Sequence, residues 1–315
     1  MKHNAKVTLI LVAMFIVTQL IGLAVIHAYT PVITEIVNQT TGEKQNVSIG
    51  PVLPYNLEPP ETEPEISLIS IVIGMTIAVL LILVLMKIKA VTFLRLWFFL
   101  VIAIAIGVSF NASLQNYFQF SAIIALVISL PLAFFKVFKR NIIVHNFTEL
   151  LIYPGIAAIF VPILTLWSII LLLILISAYD IYAVWHAGFM QKMAHFQMNE
   201  LKFFAGFFVP YIDKKTRQKL KQAKKSKSKK EQKVKVNLAI LGGGDVVFPI
   251  IAAGVFLRAF GIVQALSITL FATLALLALF MFAKKGKFYP AMPFLTAGIF
   301  VGMLIAYITV ILGIL

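Results

Sequence analysis

The sequence predicts an all-α polytopic membrane protein with nine transmembrane helices, a cytoplasmic N-terminus and an extracytoplasmic C-terminus. Three observations predict this fold class: the composition, nine long apolar runs and the placement of the basic residues. Of the 315 residues, 61% are hydrophobic and 12% are charged, and the mean hydropathy is +0.99. Soluble domains are closer to about 45–50% apolar and about 25% charged. Because no protein interior could hide this excess, lipid must surround most of the chain.

The apolar runs predict the individual spans, since a bilayer core about 30 Å thick needs about 20 apolar residues per helix. The first run follows Lys2 and Lys6. It is longer than the core of a signal peptide, about 7–15 residues, so we predict a retained span. Pro154 and Pro162 interrupt the fifth run. The predicted spans are 7–28, 66–86, 91–110, 117–135, 147–164, 167–186, 236–257, 261–283 and 289–312.

Two long loops join these spans. The outer loop, 30–65, holds six of the thirteen Pro residues and six Glu residues. This composition is typical of an extended, poorly packed segment. The inner loop, 187–235, ends in a Lys-rich stretch, 214–235, for which we predict a tether that favours anionic lipid. A solvated linker without a specific partner would have the same composition.

The first part of the inner loop shows a helical pattern. Phe189, Met193 and Phe196 recur at helical spacing beside Lys192 and Lys202. Apolar residues at this spacing next to basic ones are typical of a helix that lies in the membrane interface. We therefore consider the segment 189–196 a candidate gate for a substrate that enters from the bilayer.

The distribution of positive charge predicts the orientation. With nine spans and the N-terminus inside, 25 of the 27 Lys and Arg residues fall on the cytoplasmic side, and only Lys44 and Arg258 do not. This agrees with the positive-inside rule. Because the rule already explains the net charge of +15, we predict no nucleic-acid partner. We predict a multi-pass protein of the cell membrane.

The composition also excludes several kinds of site. The chain has no Cys, which excludes disulfides, iron–sulfur clusters and thiol nucleophiles. Its five His residues do not form a His-Glu-x-x-His motif, which disfavours an intramembrane zinc protease. The chain contains no Gly-x-Ser-x-Gly motif, which disfavours a serine hydrolase. We predict neither a metal nor a cofactor.

Two carboxylates stand out because burying one in hydrocarbon costs several kcal/mol. Asp180 and Asp245 alone among the twelve acidic residues lie well inside predicted spans. Glu149 lies near the cytoplasmic entrance of the fifth span, where we expect it to reach water. At 1.5 Å per residue, Asp180 is roughly 9 Å and Asp245 roughly 14 Å from the inner boundary. Consecutive spans usually pack together, so the two side chains could face each other.

Such a pair has a chemical use. Two carboxylates at close range cannot both ionise easily, so one retains a proton. The pair then contains a base that activates water and an acid that assists the leaving amine, as in aspartic proteases. A buried pair that merely bridges two helices, or a proton- or sodium-coupled transporter, would also explain two such Asp residues.

Helix-breaking residues surround the pair. Gly242, Gly243 and Gly244 precede Asp245, and each Gly weakens a helix by about 1 kcal/mol relative to Ala. They let another backbone approach, although small residues also serve helix packing. Pro290 and Pro293 open the ninth span and leave nearby carbonyls without intrahelical donors. A plain helix start explains these prolines equally well.

These motifs together resemble those of one family. Tyr179-Asp180, Gly242-Gly243-Gly244-Asp245 and Pro290-Ala291-Met292 look like the Tyr-Asp, Gly-x-Gly-Asp and Pro-Ala-Leu motifs of the presenilin and signal peptide peptidase family. The resemblance covers essentially the whole chain and implies an intramembrane aspartyl protease that cleaves transmembrane helices. It implies that Asp180 and Asp245 are catalytic. It also implies a supporting set that shapes the site and positions substrate: Tyr179, Gly242, Gly243, Gly244, Pro290, Ala291 and Met292. Met292 replaces the Leu of the family, a volume-conserving change.

The predicted orientation favours the presenilin-like branch, because signal peptide peptidases have the opposite orientation. We expect substrates whose N-terminus is outside, and we expect no requirement for accessory subunits. Residues 1–165 would form a scaffold of five spans, and residues 166–315 the catalytic half. A prepilin-type peptidase is disfavoured because Tyr179-Asp180 lies deep in its span. A coupled transporter is the main alternative.

Overall fold

The computed structural model describes residues 5–37, 44–49, 52–57, 64–139, 141–185, 200, 205–211, 237–283 and 289–313. Within these ranges, nine helices are long and apolar enough to cross a membrane, which confirms the predicted all-α polytopic class with nine spans. Their bounds are α1 Ala5–Ala28, α2 Pro64–Lys87, α3 Val91–Leu114, α4 Ser121–Phe138, α5 Ile142–Phe160, α6 Leu166–Trp185, α7 Gly243–Phe260, α8 Ile262–Phe282 and α9 Met292–Ile311.

Helix α7 lies at the centre of the bundle, in contact with α1, α5, α6, α8 and α9. Its residues from Val246 to Leu257 are almost all buried, including the consecutive small residues Ala252, Ala253 and Gly254. Gly254 faces Ile26 of α1 and Val161, and leaves no room for a larger side chain. Small residues therefore let α7 approach its neighbours closely, as is common in membrane helices.

The fifth span continues through its proline. α5 runs past Pro154 to Phe160, and a 3₁₀ turn at Val161–Ile163 contains Pro162. Gly155 lies directly against the Ala105 carbonyl of α3. Neighbouring helices thus support the backbone at this proline, and the two prolines do not divide the span, which runs from Ile142 to Ile163.

The outer loop is more ordered than its composition predicts. β1 Val32–Val37 pairs antiparallel with β2 Lys44–Ile49, with Val32 opposite Ile49. Leu53 and Pro54 are buried, and the Tyr55 hydroxyl donates to the Ala122 carbonyl at 3.0 Å. The expectation of a poorly packed segment is therefore wrong for residues 53–55. Backbone pairing of β1 with β2 and the anchoring hydroxyl of Tyr55 order these parts of a loop whose Pro and Glu content favours disorder.

The start of the seventh span also differs from the prediction. Residues 237–242 form strand β4, Asn237–Gly242, and α7 begins only at Gly243. β4 pairs antiparallel with β3, Gly206–Tyr211, with Phe207 opposite Leu241. A short apolar run does not distinguish strand from helix by periodicity. The three glycines oppose a helix that extends further back, and β3 provides the alternative hydrogen bonds.

Candidate active site

Asp180 lies on α6, near the end that follows the long apolar part of this helix. Its side chain is buried, at 5% exposure. The Met292 N–H, at the first residue of α9, donates to Asp180 Oδ2 at 3.0 Å. The Ala291 backbone also interacts with this carboxylate. The helix start at Pro290-Ala291-Met292 therefore supplies backbone donors to Asp180, whereas the prolines predicted free carbonyl acceptors.

Asp245 is the third residue of α7 and lies in its first turn. Its carboxylate folds back over Gly242, the residue that precedes the helix, and interacts with the Gly242 backbone. An acidic side chain at this position commonly accepts from the N–H at the cap, and the positive end of the helix dipole favours its negative charge. The predicted start of the seventh helix at residue 236 is wrong because residues 237–242 form β4, so Asp245 lies in the first turn of α7 and not nine residues into a helix.

Helix packing places the two carboxylates in the same region of the bundle. α6, which carries Asp180, contacts both α7 and α9, and the electrostatic influence of Asp180 reaches Asp245. Asp180 accepts from the Met292 N–H at the first residue of α9, and Asp245 interacts with the backbone of Gly242, immediately before α7. Two carboxylates in one region of the bundle, each supported by backbone donors, are suited to general acid–base catalysis.

The three glycines before Asp245 have different surroundings. A Cβ at Gly242 would lie 3.1 Å from Asp245 Oδ2, and one at Gly243 would lie 2.8 Å from the Tyr153 hydroxyl. A Cβ at Gly244 would meet only Phe248, at 3.7 Å. A side chain at Gly243 would overlap the buried Tyr153 ring, and one at Gly242 would crowd the end of the Asp245 carboxylate, while Gly244 is an exposed position.

The remaining predicted residues are divided between the interior and the surface. Pro290 and Met292 are buried, and Ala291 is partly buried. Tyr179 is 41% exposed and points away from the packed interior, although it is adjacent to Asp180. No group of three or more His, Asp or Glu side chains in the described ranges could hold a metal ion.

Sequence reasoning missed a buried polar group beside the site. Glu149 is 1% exposed and pairs with Lys136 Nζ at 2.7 Å, so the expectation that it reaches water is wrong. His145 and Tyr153 lie on the same helix and are also buried. The i, i+4 spacing of His145, Glu149 and Tyr153 was the available signal, because it places three polar side chains on one face of an apolar helix.

Two predicted features lie outside the described residues. The candidate gate at 189–196 is one, and the basic stretch at 214–235 is the other.

Comparisons with known proteins agree with this fold. Residues 55–312 match the family model described as signal-peptide peptidase, presenilin aspartyl protease. A solved structure of a presenilin family intramembrane aspartate protease in space group C222 superposes with a TM-score of 0.59 at 18% identity, covering 95% of this chain and 98% of that one. A structure of the same description in space group P2 gives 0.56 at 18% identity, with coverage of 94% and 96%. No curated protein matches.

Proposed function

Because this chain belongs to the signal-peptide peptidase and presenilin aspartyl protease family, we propose that Asp180 and Asp245 are the catalytic dyad of an intramembrane aspartyl protease. The family establishes the activity and implies transmembrane substrates. It does not support the coupled transporter. The observation that supports the residue assignment is the location of two carboxylates in one region of the bundle, each supported by backbone groups where a helix begins.

The dyad would hydrolyse a peptide bond without a covalent intermediate. One carboxylate takes a proton from the attacking water, and the other, protonated, hydrogen-bonds to the carbonyl oxygen of the substrate. The proton that was taken from the attacking water then passes to the departing amine. The Met292 and Gly242 amides keep one oxygen of each carboxylate occupied, which leaves the other oxygens to face water and substrate.

The supporting residues have separate roles in this proposal. Gly242 and Gly243 leave space for the Asp245 carboxylate and the Tyr153 ring. Ala291 and Met292 hold Asp180 through their backbone N–H groups, and Pro290 precedes them at the start of α9. Tyr179, exposed beside Asp180, and Gly244 lie where an entering substrate helix could contact them.

The finer assignments belong to the same proposal. The charge distribution favours a cytoplasmic N-terminus, an extracytoplasmic C-terminus and a place in the cell membrane. This orientation is presenilin-like and favours substrates whose N-terminus is outside. The basic stretch 214–235 would bind anionic lipid, and the chain would act without accessory subunits.

The decisive experiment measures cleavage of a single-span substrate by the purified chain in lipid vesicles. Asp180→Asn and Asp245→Asn retain the size of the side chain but remove the acid–base function. We expect each to lower the cleavage rate at least about 10²-fold. Asp213→Asn, which removes a carboxylate from the inner loop, is the matched control and should cleave normally.

Three outcomes would contradict parts of the proposal. If only one Asp variant loses activity, the dyad assignment fails while the protease remains. Full activity in both variants would reject both residues. Cleavage that requires an added protein would reject the independence from accessory subunits.

A further inference from the structure

A polar cluster on α4 and α5 holds strand β3 from the side opposite β4. We call it the α5 clamp, and it consists of Lys136, His145, Asn146 and Glu149. The Lys136–Glu149 ion pair is 2.7 Å long, and the two side chains are 2% and 1% exposed. His145 Nδ1 lies 3.3 Å from Lys136 Nζ. A buried ion pair is a costly feature unless further hydrogen bonds satisfy it.

Those further bonds go to the backbone of β3. The Gly206 N–H donates to Glu149 Oε1 at 3.2 Å, and the Gly206 carbonyl lies 2.7 Å from His145 Nε2. A neutral His145 with its proton on Nε2 satisfies both contacts, since Nδ1 then accepts from Lys136. The clamp therefore binds both backbone groups of Gly206.

The clamp repeats this pattern two residues further along the strand. Asn146 Nδ2 donates to the Phe208 carbonyl at 2.8 Å, and the Phe208 N–H donates to Asn146 Oδ1 at 2.9 Å. The His145 ring stacks on Phe208 with centroids 4.5 Å apart. Residues i and i+2 present their backbone groups to the same edge of a strand. Side chains of α5 thus occupy the edge of β3 as a neighbouring strand would.

The held strand leads directly to Asp245. The Gly243 N–H donates to the Ala205 carbonyl at 3.3 Å, immediately before the clamped Gly206. β3 also pairs with β4, which ends at Gly242. Tyr153 of α5 contacts Phe207 edge-on and lies over Gly243. The first turn of α7 is therefore tied to α5 through β3.

We propose that Lys136, His145, Asn146 and Glu149 are positioning residues for Asp245, acting through Gly206 and Phe208. The inference rests on the proposed role of Asp245 in catalysis. The clamp fixes β3, β3 fixes the turn at Gly243, and this turn sets the position of the carboxylate. Loss of the clamp should lower kcat and leave KM unchanged, because a displaced catalytic group slows the reaction after substrate has bound.

Two double variants separate this role from simple charge pairing. K136M/E149Q removes both charges but keeps an amide oxygen that can accept from the Gly206 N–H. K136M/E149L removes both charges and that acceptor. We expect K136M/E149Q to keep kcat near the wild-type value and K136M/E149L to lose roughly tenfold to 100-fold. Equal kcat in the two variants, or a change in KM alone, would overturn the proposal.

Asn146→Leu provides a test without any buried charge, in case a double variant does not fold. It removes both hydrogen bonds to Phe208 and should lower kcat, while Phe147→Leu on the exposed side of α5 should not. Wild-type kcat in Asn146→Leu would contradict the inference. If Asp245→Asn is inactive but these variants are unaffected, the clamp is wrong and the proposed function stands.

Amide hydrogen exchange tests the clamp independently of activity. Relative to K136M/E149Q, K136M/E149L should exchange faster at residues 206–211 and 242–245, because the hydrogen bonds that protect them open more often. Exchange in α8 is the internal control and should not change. Unchanged exchange at both segments would overturn the inference even if the wild-type chain cleaved no substrate that was tried.

Discussion

At the scale of single residues, we expect opposite effects on cleavage from Ala substitutions at two of the glycines before Asp245. Gly243→Ala should lower cleavage at least about tenfold, because its Cβ would lie 2.8 Å from the hydroxyl and 2.9 Å from Cε1 of the buried Tyr153 ring. A closely packed aromatic ring can relieve such an overlap only by shifting the turn. Gly244→Ala, whose Cβ has ordinary contacts, should remain active. Cleavage rates of the two variants, compared at equal protein concentration, check this.

The result would be contradicted if Gly244→Ala were the more damaging change. Elution as a single species in detergent and an unchanged helical signal are needed for both variants, so that lost activity is not confused with misfolding.

Met292 makes a second prediction at this scale. Its contact with Asp180 comes from the backbone N–H, and its side chain is buried at 4% exposure. Met292→Leu keeps the donor and nearly the same volume, so cleavage should stay within about twofold of wild type. Met292→Ala should destabilise the protein by about 2–5 kcal/mol through the cavity it leaves. Thermal unfolding and cleavage rates measured on both variants distinguish these effects, and equal stability of the two would contradict the packing argument.

The sequence predicts a site residue when the residue's own span makes it unusual, and fails when its role depends on a partner in another helix. Asp180 and Asp245 could be found because a carboxylate in an apolar span is unusual whatever surrounds it. The i, i+4 spacing of polar residues on α5 indicates a polar face, but it does not show that Glu149 is buried, because this burial depends on Lys136 from another helix. Tertiary packing fixes that partner, so neither span alone predicts the ion pair.

At the scale of elements, the same distinction explains the seventh span. Span existence follows from local hydrophobic length, and all nine predicted spans are helices in the structure. The residues 237–242 are equally apolar, yet they form β4 because β3 lies beside them. Their hydrogen-bond partner is more than twenty residues away in the chain, beyond what periodicity detects. Because β4 ends at Gly242, α7 begins at Gly243 and Asp245 lies in its first turn.

The contact between α8 and α9 gives a prediction for this scale. Gly298 lies against Ala275 and the Phe271 carbonyl, and Gly302 lies against Ile268. Glycines four residues apart allow close approach of two membrane helices. Gly298→Ala and Gly302→Ala should each destabilise the protein by about 1–3 kcal/mol. The midpoint of thermal unfolding in detergent measures the loss.

The matched control is Gly74→Ala on α2, where an added Cβ meets nothing within 4 Å. It should leave the unfolding midpoint unchanged or raise it, since Ala favours helix more than Gly does. If all three substitutions behaved alike, helix propensity rather than close packing would explain the effects.

At the scale of the whole molecule, the fold tolerates great change in sequence. The chain superposes on a presenilin family protease over 95% of its length at 18% identity. A span needs mainly hydrophobic length to cross the bilayer, and many sequences provide it. The contacts at the proposed site are more specific, because the start of α9 donates to Asp180 on α6 and Asp245 lies in the first turn of α7.

Orientation is the property of the whole molecule that the arrangement of helices leaves open, because a bundle packs identically in either direction across the bilayer. The absence of Cys makes the chain a ready background for single-cysteine labelling. With the N-terminus inside, Thr40→Cys in the outer loop should react with a membrane-impermeant maleimide on intact cells. Ser226→Cys in the basic inner loop should react only after permeabilisation. The reverse pattern would place the N-terminus outside. It would also reverse the polarity expected of substrates, because the two carboxylates would then present the opposite direction to a helix entering from the bilayer.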